Sequence, residues 1–332
     1  MIYKKVGSTM TFVWIALGII WGLAILTVSA AYVCFRMAFY SSPKRPMEHR
    51  DEYPIPDGKV YEPFREQMVA WIKLARSLPY LEVSVISFDG LTLRGRYYEF
   101  SPDAPIELLF HGYRGWAERD LSGGVARCQM LEHNALVVDH RGSNQSDGTV
   151  ISFGILESRD CPVWVDFILE KINPNAKIII TGISMGASTV MIAASKPLPE
   201  NVVGVLADCG YTSNPEIIKK VMVDMKLPPK LCYPFVKLGA KLFGKFDLEE
   251  ISPIESVKQS LLPILFFHGD TDDFVPHDMS LRNSQVCATP NKMVSIKGAG
   301  HGLCFPVDPE TYLREMQNFF DPILENKELG QN

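Results

Sequence analysis

The stretch "KIIITGISMGASTVMIAAS", Lys177 to Ser195, decides how this chain folds. A short apolar run leads into G-x-S-x-G and then into a segment of small residues that favours a helix. A serine in that context stands on a sharp strand-to-helix turn, with its hydroxyl held out over a sheet. Glycines two positions before and after Ser184 let strand and helix approach without a clash at Cβ. The pattern predicts Ser184 as a nucleophile. The alternative is a glycine-rich turn whose serine only caps the helix.

Apolar runs of the same kind recur on both sides of this unit. Most intervals between them are long enough for a crossover helix, a pattern typical of a parallel sheet covered on both faces. An alternating segment before them turns at Asp89-Gly90 and predicts a β-hairpin. The runs are IELLF, ALVVD, KIIIT, VVGVLAD, PILFF and KMVSIK. We therefore expect an α/β fold with a mostly parallel central sheet.

The reactive side chains follow these runs. Ligands of such sheets bind at the carboxyl ends of the strands, so residues just after each run should meet at one edge. Ser184 follows the third run, "HGDTDDFVP" the fifth, and "GAGHG" the last. His301, in the glycine-rich last loop, is the base that a serine hydroxyl needs. The order serine, acid, histidine is that of α/β-hydrolases.

From about Tyr80 to its end, the chain resembles the α/β-hydrolase superfamily. It is most similar there to serine esterases and peptidase-like hydrolases of bacterial membrane-anchored type. Five motifs in family order carry the resemblance: HGYRG, DHRGSNQSDG, GISMG, HGDTDDFVP and GAGHG. It implies the α/β-hydrolase fold, a mostly parallel sheet with helices on both faces and a small helical cap.

The resemblance also places the acid. The family pattern after the fifth of these strands is G-x-x-D-x-x-V-P, and Gly269, Val275 and Pro276 fix its register. Asp272 is then the third member of a triad with Ser184 and His301. Its neighbours Asp270 and Asp273 are expected to be a turn residue with an Asx-type hydrogen bond and a solvent-facing residue.

Further roles follow from "HGYRG". The backbone N–H groups of Tyr113 and Met185 are expected to form the oxyanion hole. Each would stabilise the transition state by about 3 kcal/mol. Tyr113 and Trp116 are expected to line the substrate pocket, and His111 to hold the loop. "DHRGSNQSDG" is expected to be structural, with Asn144 where glycine is usual.

The implied reaction is hydrolysis of a carboxylic ester, or a related acyl bond, of a small-molecule acyl substrate through an acyl-enzyme. A serine peptidase or amidase of S9- or S33-like type is the main alternative. Acyl transfer to an acceptor other than water is the second alternative, and a non-catalytic membrane-tethered scaffold is the third. No metal or organic cofactor is implied.

The N-terminal part has no charged residue from Met10 to Phe35. About 20 apolar residues suffice to cross a bilayer. A signal peptide cleaved before Ala31 is the alternative, but its apolar region is usually only about 7–15 residues long. The division expected is a tail at 1–9, a transmembrane anchor at 10–36, a juxtamembrane linker and helix at 37–78, and the hydrolase domain at 79–332, with a helical cap at 212–259. The protein should be a single-pass protein of a bacterial cell membrane, with its orientation open.

Composition excludes other classes. A net charge of -5 argues against nucleic-acid binding. Seven scattered cysteines without CxxC spacing fit neither a disulfide framework nor a zinc site. Oligomeric state is left open. In the cap, an amphipathic helix is expected to pack on the core or to rest on an anionic membrane. Its basic face would hold Lys237, Lys241 and Lys245, and its apolar face Phe235, Leu238, Leu242 and Phe246.

Overall fold

The order of helices and strands follows the apolar runs of the sequence. A computed structural model describes residues 2–42 and 53–325. The strands are β1 Leu81–Ile86, β2 Thr92–Tyr98, β3 Ile106–Phe110, β4 Asn134–Val138, β5 Ile178–Ile183, β6 Val202–Asp208, β7 Ile264–Gly269 and β8 Asn291–Ile296. The helices are α1 Ile2–Ala38, α2 Arg65–Ser77, α3 Ala117–Leu131, α4 Glu157–Phe167, α5 Met185–Ala193, α6 Asn214–Asp224, α7 Pro229–Gly239, α8 Pro253–Val257, α9 His277–Val286, α10 Cys304–Val307 and α11 Pro309–Glu325.

One sheet of eight strands, in the order β1-β2-β4-β3-β5-β6-β7-β8, organises the domain. Strand β2 is antiparallel to both β1 and β4, and the remaining pairs are parallel. The hairpin β1–β2 turns at Gly90, whose φ of 88° suits glycine. The expected α/β class with a mostly parallel central sheet is confirmed.

Both faces of the sheet are covered, as continuous apolar strands require. Along β5, Ile178 and Ile180 pack into the core that contains Trp164 of α4 and Val190 of α5. The intervening Ile179 packs into a different core, with Tyr312, Met316 and Phe320 of α11. This alternation follows from the two-residue repeat of a strand. Because both faces are covered, a ligand can reach the sheet only at an edge, such as the one formed by the carboxyl ends of the parallel strands.

The cap lies within the expected 212–259 and contains α6, α7 and α8. The predicted apolar face of its second helix holds only in part: Phe246 is buried, whereas Leu242 is exposed. The buried side chains of α7 are Tyr233 and Val236, whereas Leu242 is 47% exposed. A π-helical turn over Ala240–Gly244 shifts the helical repeat after α7. Lys245, with positive φ, then ends the helix before Phe246.

The basic face of that helix is also different from the prediction. Lys237 forms an ion pair with Glu249, which neutralises the first of the three charges. Lys241 and Lys245 are exposed beyond the end of α7. The three lysines therefore do not form one continuous basic stripe along a regular helix.

The expected segment boundaries are only partly those of the structure. Helix α1 begins at Ile2, within the expected tail, and continues to Ala38. The expected linker and helix, 37–78, packs on the domain where it is described: Ile72 is buried, and Trp71 stacks on Phe305 with ring centroids 5.3 Å apart. Positions 43–52 of that segment and 326–332 of the expected domain lie outside the described residues.

Candidate active site

Ser184 sits on a strained turn between β5 and α5. Its φ of 57° and ψ of −116° are unusual for a residue with a side chain. A Cβ on Gly182 would collide with the backbone of Gly186, and one on Gly186 would collide with the carbonyl of Phe110. Both positions therefore need glycine for strand and helix to pass so closely. The turn leaves the Ser184 side chain at the strand ends.

The three residues named from the sequence lie in one hydrogen-bonded row. Nε2 of His301 is 2.9 Å from Oγ of Ser184, and Nδ1 of His301 is 2.7 Å from Oδ2 of Asp272. The other carboxylate oxygen of Asp272 accepts from the backbone N–H groups of Phe274 and Val275, each at 2.9 Å. The arrangement joins hydroxyl, imidazole and carboxylate in the order that nucleophilic catalysis requires.

Asp272 is held in its ionised form. Burial raises the pKa of this carboxyl, but hydrogen bonds from His268 and His301 outweigh burial and hold the pKa well below its ordinary value. A carboxylate that remains charged can orient His301 and stabilise an imidazolium. The site thus contains a fixed negative charge behind the base.

His268, the last residue but one of β7, is a part of the site that the sequence reasoning missed. It is buried, and Nε2 lies 3.1 Å from Oδ2 of Asp272 and 2.9 Å from the carbonyl of Val275. Because both are acceptors, Nε2 carries the proton. Nδ1 lies 2.6 Å from the Ser280 hydroxyl. The only signal in the sequence was a histidine directly before the acid loop.

The acid loop and the histidine loop are tied together. The carboxylate of Asp270 accepts from the N–H of Gly298 at 2.6 Å, and the hydroxyl of Thr271 donates to the carbonyl of Ala299 at 2.8 Å. Asp270 thus stabilises a contact between loops rather than its own turn. Asp273 is exposed, as expected. These bonds fix the distance between Asp272 and His301.

The loop "HGYRG" passes beside the nucleophile. A Cβ on Gly112 would lie 3.6 Å from the Cβ of Ser184. His111 is fully buried, donates from Nδ1 to the carbonyl of Gly112 at 2.8 Å, and accepts at Nε2 from the N–H of His140 at 3.0 Å. Burial lowers the pKa of His111 well below its ordinary value. A neutral His111 holds the loop, as expected.

The two amides expected to form an oxyanion hole belong to Tyr113 and Met185. Met185 is the first residue of α5, and first-turn N–H groups have no acceptor within their own helix. Within the described chain, the N–H of Tyr113 takes part in none of the backbone hydrogen bonds between loops and turns. In the described part of the chain, neither N–H group is thus engaged by a backbone carbonyl of another loop or turn, which leaves the expected role a prediction.

The loop "DHRGSNQSDG" is structural here. Asp139 accepts from the N–H of Ala117 and from the Asn144 amide, both at 2.8 Å. Asn144 has a φ of 45°, which explains why asparagine can replace glycine there. Arg141 pairs with buried Asp160, at 2.7 Å. The loop holds the start of α3 and takes no part in the row of Ser184.

Two cavities meet at Ser184. The larger cavity, about 370 Å³, extends toward charged groups that include Asp57, Arg119 and Asp120. The apolar cavity, about 260 Å³, extends between α1, α6 and α7. Ser184, Tyr113 and Phe274 line both cavities. A molecule bound across Ser184 could therefore place an apolar part on one side and a polar part on the other.

Trp116 is not where the resemblance placed it. Within the described chain it lines neither cavity. Its backbone is extended, with φ of −156°, and it stands just before α3. The guanidinium of Arg119, one turn on, lies 4.7 Å from its ring centroid. The ring of Trp116 therefore packs against Arg119 at the start of α3. Of the two residues expected to line the substrate pocket, Tyr113 does so and Trp116 does not.

Cys209 adds a third possible metal ligand to Asp272 and His301. Their donor atoms lie within 4.8 Å of one another. The imidazole and the carboxylate are already hydrogen-bonded to each other, and burial raises the pKa of the Cys209 thiol well above its ordinary value. A neutral thiol is a poor ligand, because metals bind the thiolate. The donor set suits hydrogen bonding better than a metal.

No protein-family model matches the chain. The uncharacterized protein YqkD of Bacillus subtilis is 27% identical over 199 residues, which are 60% of this chain and 65% of YqkD. The chain thus spans just under two thirds of that relative. An esterase of Pyrococcus furiosus, Pf2001, matches with a TM-score of 0.60 and 21% identity, over 75% of this chain and 93% of the esterase. An acylaminoacyl peptidase of Pyrococcus horikoshii matches with a TM-score of 0.58 and 18% identity, over 78% of this chain and 44% of the peptidase.

At 21% and 18% identity, these structural similarities show the fold alone. The protein has the α/β-hydrolase fold.

Proposed function

We propose that the protein is a serine hydrolase that cleaves a carboxylic ester. The observation that carries the proposal is the row from Ser184 through His301 to Asp272, with distances of 2.9 and 2.7 Å, at the meeting point of two cavities. A cluster that served only to stabilise the fold would not need a serine in a strained backbone conformation, nor would it need that serine to line both cavities.

In the first half of the reaction, Oγ of Ser184 attacks the ester carbonyl while Nε2 of His301 takes its proton. The N–H groups of Tyr113 and Met185 donate to the oxyanion. The C–O bond to the alcohol then breaks, His301 returns the proton to the leaving oxygen, and an acyl-Ser184 remains. In the second half, water loses a proton to His301 and attacks the acyl carbon. The carboxylic acid leaves, and Ser184 regains its proton.

An ester fits this site better than a peptide. The apolar cavity offers an acyl chain a long contact and gives a peptide backbone little to bind. The hydroxyl of Tyr113 donates to Ala38 and that of Tyr211 to Phe153, so neither hydroxyl is a free donor for a peptide carbonyl. A buried peptide group without partners loses free energy on binding.

A fluorophosphonate probe and a substrate panel test the proposal. We expect the full-length protein to be labelled and to hydrolyse p-nitrophenyl esters faster than aminoacyl p-nitroanilides. Ser184→Ala should abolish both labelling and hydrolysis. Ser195→Ala is the matched control, since Ser195 follows the same helix but donates only to the carbonyl of Ile192. Full hydrolysis by Ser184→Ala would overturn the proposal, and preference for the anilides would replace the esterase with a peptidase.

We also propose that α1 is an uncleaved membrane anchor. Phe12–Ala38 is long and apolar enough to span a bilayer, and its most apolar part is not covered by protein. Its last turns pack on the domain: a Cβ on Gly239 would collide with the carbonyl of Ala31. The intact mass of the purified protein, together with its resistance to alkaline extraction from membranes, tests this. A mature N-terminus at Ala31 would contradict it.

A further inference from the structure

The C-terminal end of α1 forms part of the wall of the apolar cavity. Cys34, Met37 and Ala38 line this cavity together with Ser184 and Met185 of the active site. A membrane anchor is ordinarily a tether whose end lies outside the catalytic domain. Here its last turns lie against the space in front of the nucleophile, so that the anchor and the site share one wall.

The same helix end is bound by the oxyanion loop. The hydroxyl of Tyr113 donates to the carbonyl of Ala38 at 2.7 Å, and the guanidinium of Arg114 donates to that of Met37 at 2.7 Å. Both acceptors are carbonyls of the last turn of α1, which have no partner within the helix. The positive charge of Arg114 also suits the negative end of the helix dipole. The position of α1 is therefore fixed relative to Ser184.

The chemistry of the cavity suits an acyl chain. Its walls away from Ser184 are mainly aliphatic and aromatic, with Ile217, Ile218 and Met222 from α6 and Val236 from α7. The hydroxyls of its two tyrosines are occupied by backbone carbonyls. Ser184, whose hydroxyl lies next to His301, is the activated nucleophile on this wall, which also holds the thiols of Cys34 and Cys232. An unbranched hydrocarbon that ends in an ester at Ser184 gains free energy with each methylene that it buries along this wall.

The mouth of the cavity is apolar on its outside as well. Met37 of α1 and Met225, after α6, line the cavity and are 55% and 52% exposed. Leu227 lines it too, and Val223 and Leu231 are exposed on either side of the same turn. Between them stand the exposed Lys226 and Lys230. Exposed apolar side chains interleaved with lysines are typical of a surface that rests on anionic lipid.

This mouth lies close to where α1 would leave the bilayer. Ala31 is fully buried against the domain, while the segment before it is exposed and apolar. At 1.5 Å for each residue, Met37 is only about 9 Å further along the helix. The headgroup region on each side of the hydrocarbon core is about 5–8 Å thick. The mouth therefore opens at about the outer edge of the headgroup region, next to the surface of the membrane.

Part of the wall of the larger cavity complements the apolar one, although most of that wall is apolar as well. Asp57, Arg119 and Asp120 place opposite charges on its wall, with Arg119 and Asp120 in an ion pair of 2.6 Å. A polar alcohol can lie there while the acyl chain lies in the apolar cavity. An amphipathic ester is the class of molecule that matches both.

We infer that the substrate is an acyl ester of a membrane lipid, and that its acyl chain enters the site between the end of α1 and the turn from α6 to α7. The inference rests on the proposed serine hydrolase activity. Anchoring then has a catalytic purpose: α1 supplies one wall of the acyl pocket and places its mouth at the lipid surface.

Met225→Trp tests the inference, because an indole at the mouth narrows the apolar cavity without touching the hydrogen-bonded row. Full-length protein in detergent is assayed with p-nitrophenyl acetate and p-nitrophenyl decanoate. We expect the ratio of kcat/KM for the decanoate to kcat/KM for the acetate to fall at least about tenfold. Met130→Trp is the matched control. Met130 is 58% exposed on α3 and lines neither cavity within the described chain.

A second arm distinguishes a lipid in the membrane from a free ester in water. The same variants are reconstituted in vesicles that contain a fluorogenic diacyl phospholipid, and fatty-acid release is measured. Release by the wild type and by Met130→Trp, with loss in Met225→Trp, supports the inference. No release by the wild type, or equal loss of acetate and decanoate hydrolysis in Met225→Trp, would overturn it. Absence of acetate hydrolysis in the wild type would instead overturn the proposed hydrolase.

Discussion

His301 and Asp272 are joined by a hydrogen bond of 2.7 Å between Nδ1 and Oδ2, although 28 residues separate them in the chain. Two further bonds between their loops, from Gly298 to Asp270 and from Thr271 to Ala299, keep the two side chains at this distance. The relationship makes Asp272 the acid on which the orientation of the imidazole depends. It also separates Asp272 from its neighbour Asp273, which is exposed.

Asp272→Asn should lower kcat on p-nitrophenyl acetate by about 10³–10⁴-fold, as loss of the acid does in serine hydrolases of known mechanism. The amide would place a donor against the N–H groups of both His301 and His268. Asp273→Asn, the matched control, should change kcat by no more than about twofold, because surface substitutions seldom matter more. If Asp273→Asn lowered kcat strongly and Asp272→Asn did not, the assignment of Asp272 as the catalytic acid would be wrong.

His268→Leu should lower kcat about ten- to hundredfold by loosening the position of Asp272. The hydrogen bond from His268 lowers the pKa of the Asp272 carboxyl. Its removal should therefore raise that pKa, so that the loss of kcat is larger at acidic pH, where Asp272 begins to be protonated, than at neutral pH. His268→Gln keeps an N–H donor and should restore part of the activity. A loss that is the same at every pH, with no rescue by glutamine, would show that His268 only fills space.

Tyr113→Phe removes the bond to Ala38 and keeps the backbone N–H. We expect the free energy of unfolding to fall by about 1 kcal/mol. We also expect kcat to fall by up to about tenfold, since the loop that carries an oxyanion donor is released from α1. Tyr211→Phe removes the other cavity hydroxyl, which bonds to Phe153 and not to α1. Tyr211→Phe should lower stability similarly and leave kcat unchanged. Equal kcat values for the two variants would contradict the idea that the bond between Tyr113 and α1 positions the oxyanion loop.

The strand ends and the acid register could be predicted from the sequence because each depends on local patterns: continuous apolar runs, a glycine two places on either side of Ser184, and fixed positions around Asp272. His268 could not be assigned, because it stands at the end of an apolar run and its partners come from a loop and from α9. Trp116 was misplaced because its ring packs against the Arg119 guanidinium at the start of α3, a contact that the motif does not report. The wall formed by Met37 depends on how α1 packs against the cap, which no local pattern reports.

The Asp139 carboxyl should make stability depend on pH. Burial raises its pKa to about 6, although hydrogen bonds from Ala117 and Asn144 oppose this. The folded state then favours the protonated form. The contribution of this group is fully present below about pH 4, near the pKa of an unfolded aspartate, and is lost as pH rises through about 6.

Asp139→Asn cannot titrate, so it isolates the contribution of this carboxyl. Urea unfolding of wild type and variant at several pH values is the measurement. The stability of the wild type relative to the variant should decrease by about 1–3 kcal/mol between pH 4 and pH 7 and stay constant above that. A difference that is the same at every pH would mean that Asp139 has an ordinary pKa in the folded protein.

The backbone strain at Ser184 should be measurable as stability. Its positive φ costs about 1–3 kcal/mol for a residue with a Cβ, and glycine adopts that conformation freely. Ser184→Gly and Ser184→Ala should both be inactive, yet the glycine variant should unfold at the higher temperature. At Ser195, which lies outside the positive-φ residues of the described chain, the order should reverse, because glycine has more conformational freedom to lose on folding. If alanine were the more stable replacement at both positions, the turn would carry no strain, and the Ser184 hydroxyl would owe its position to packing alone.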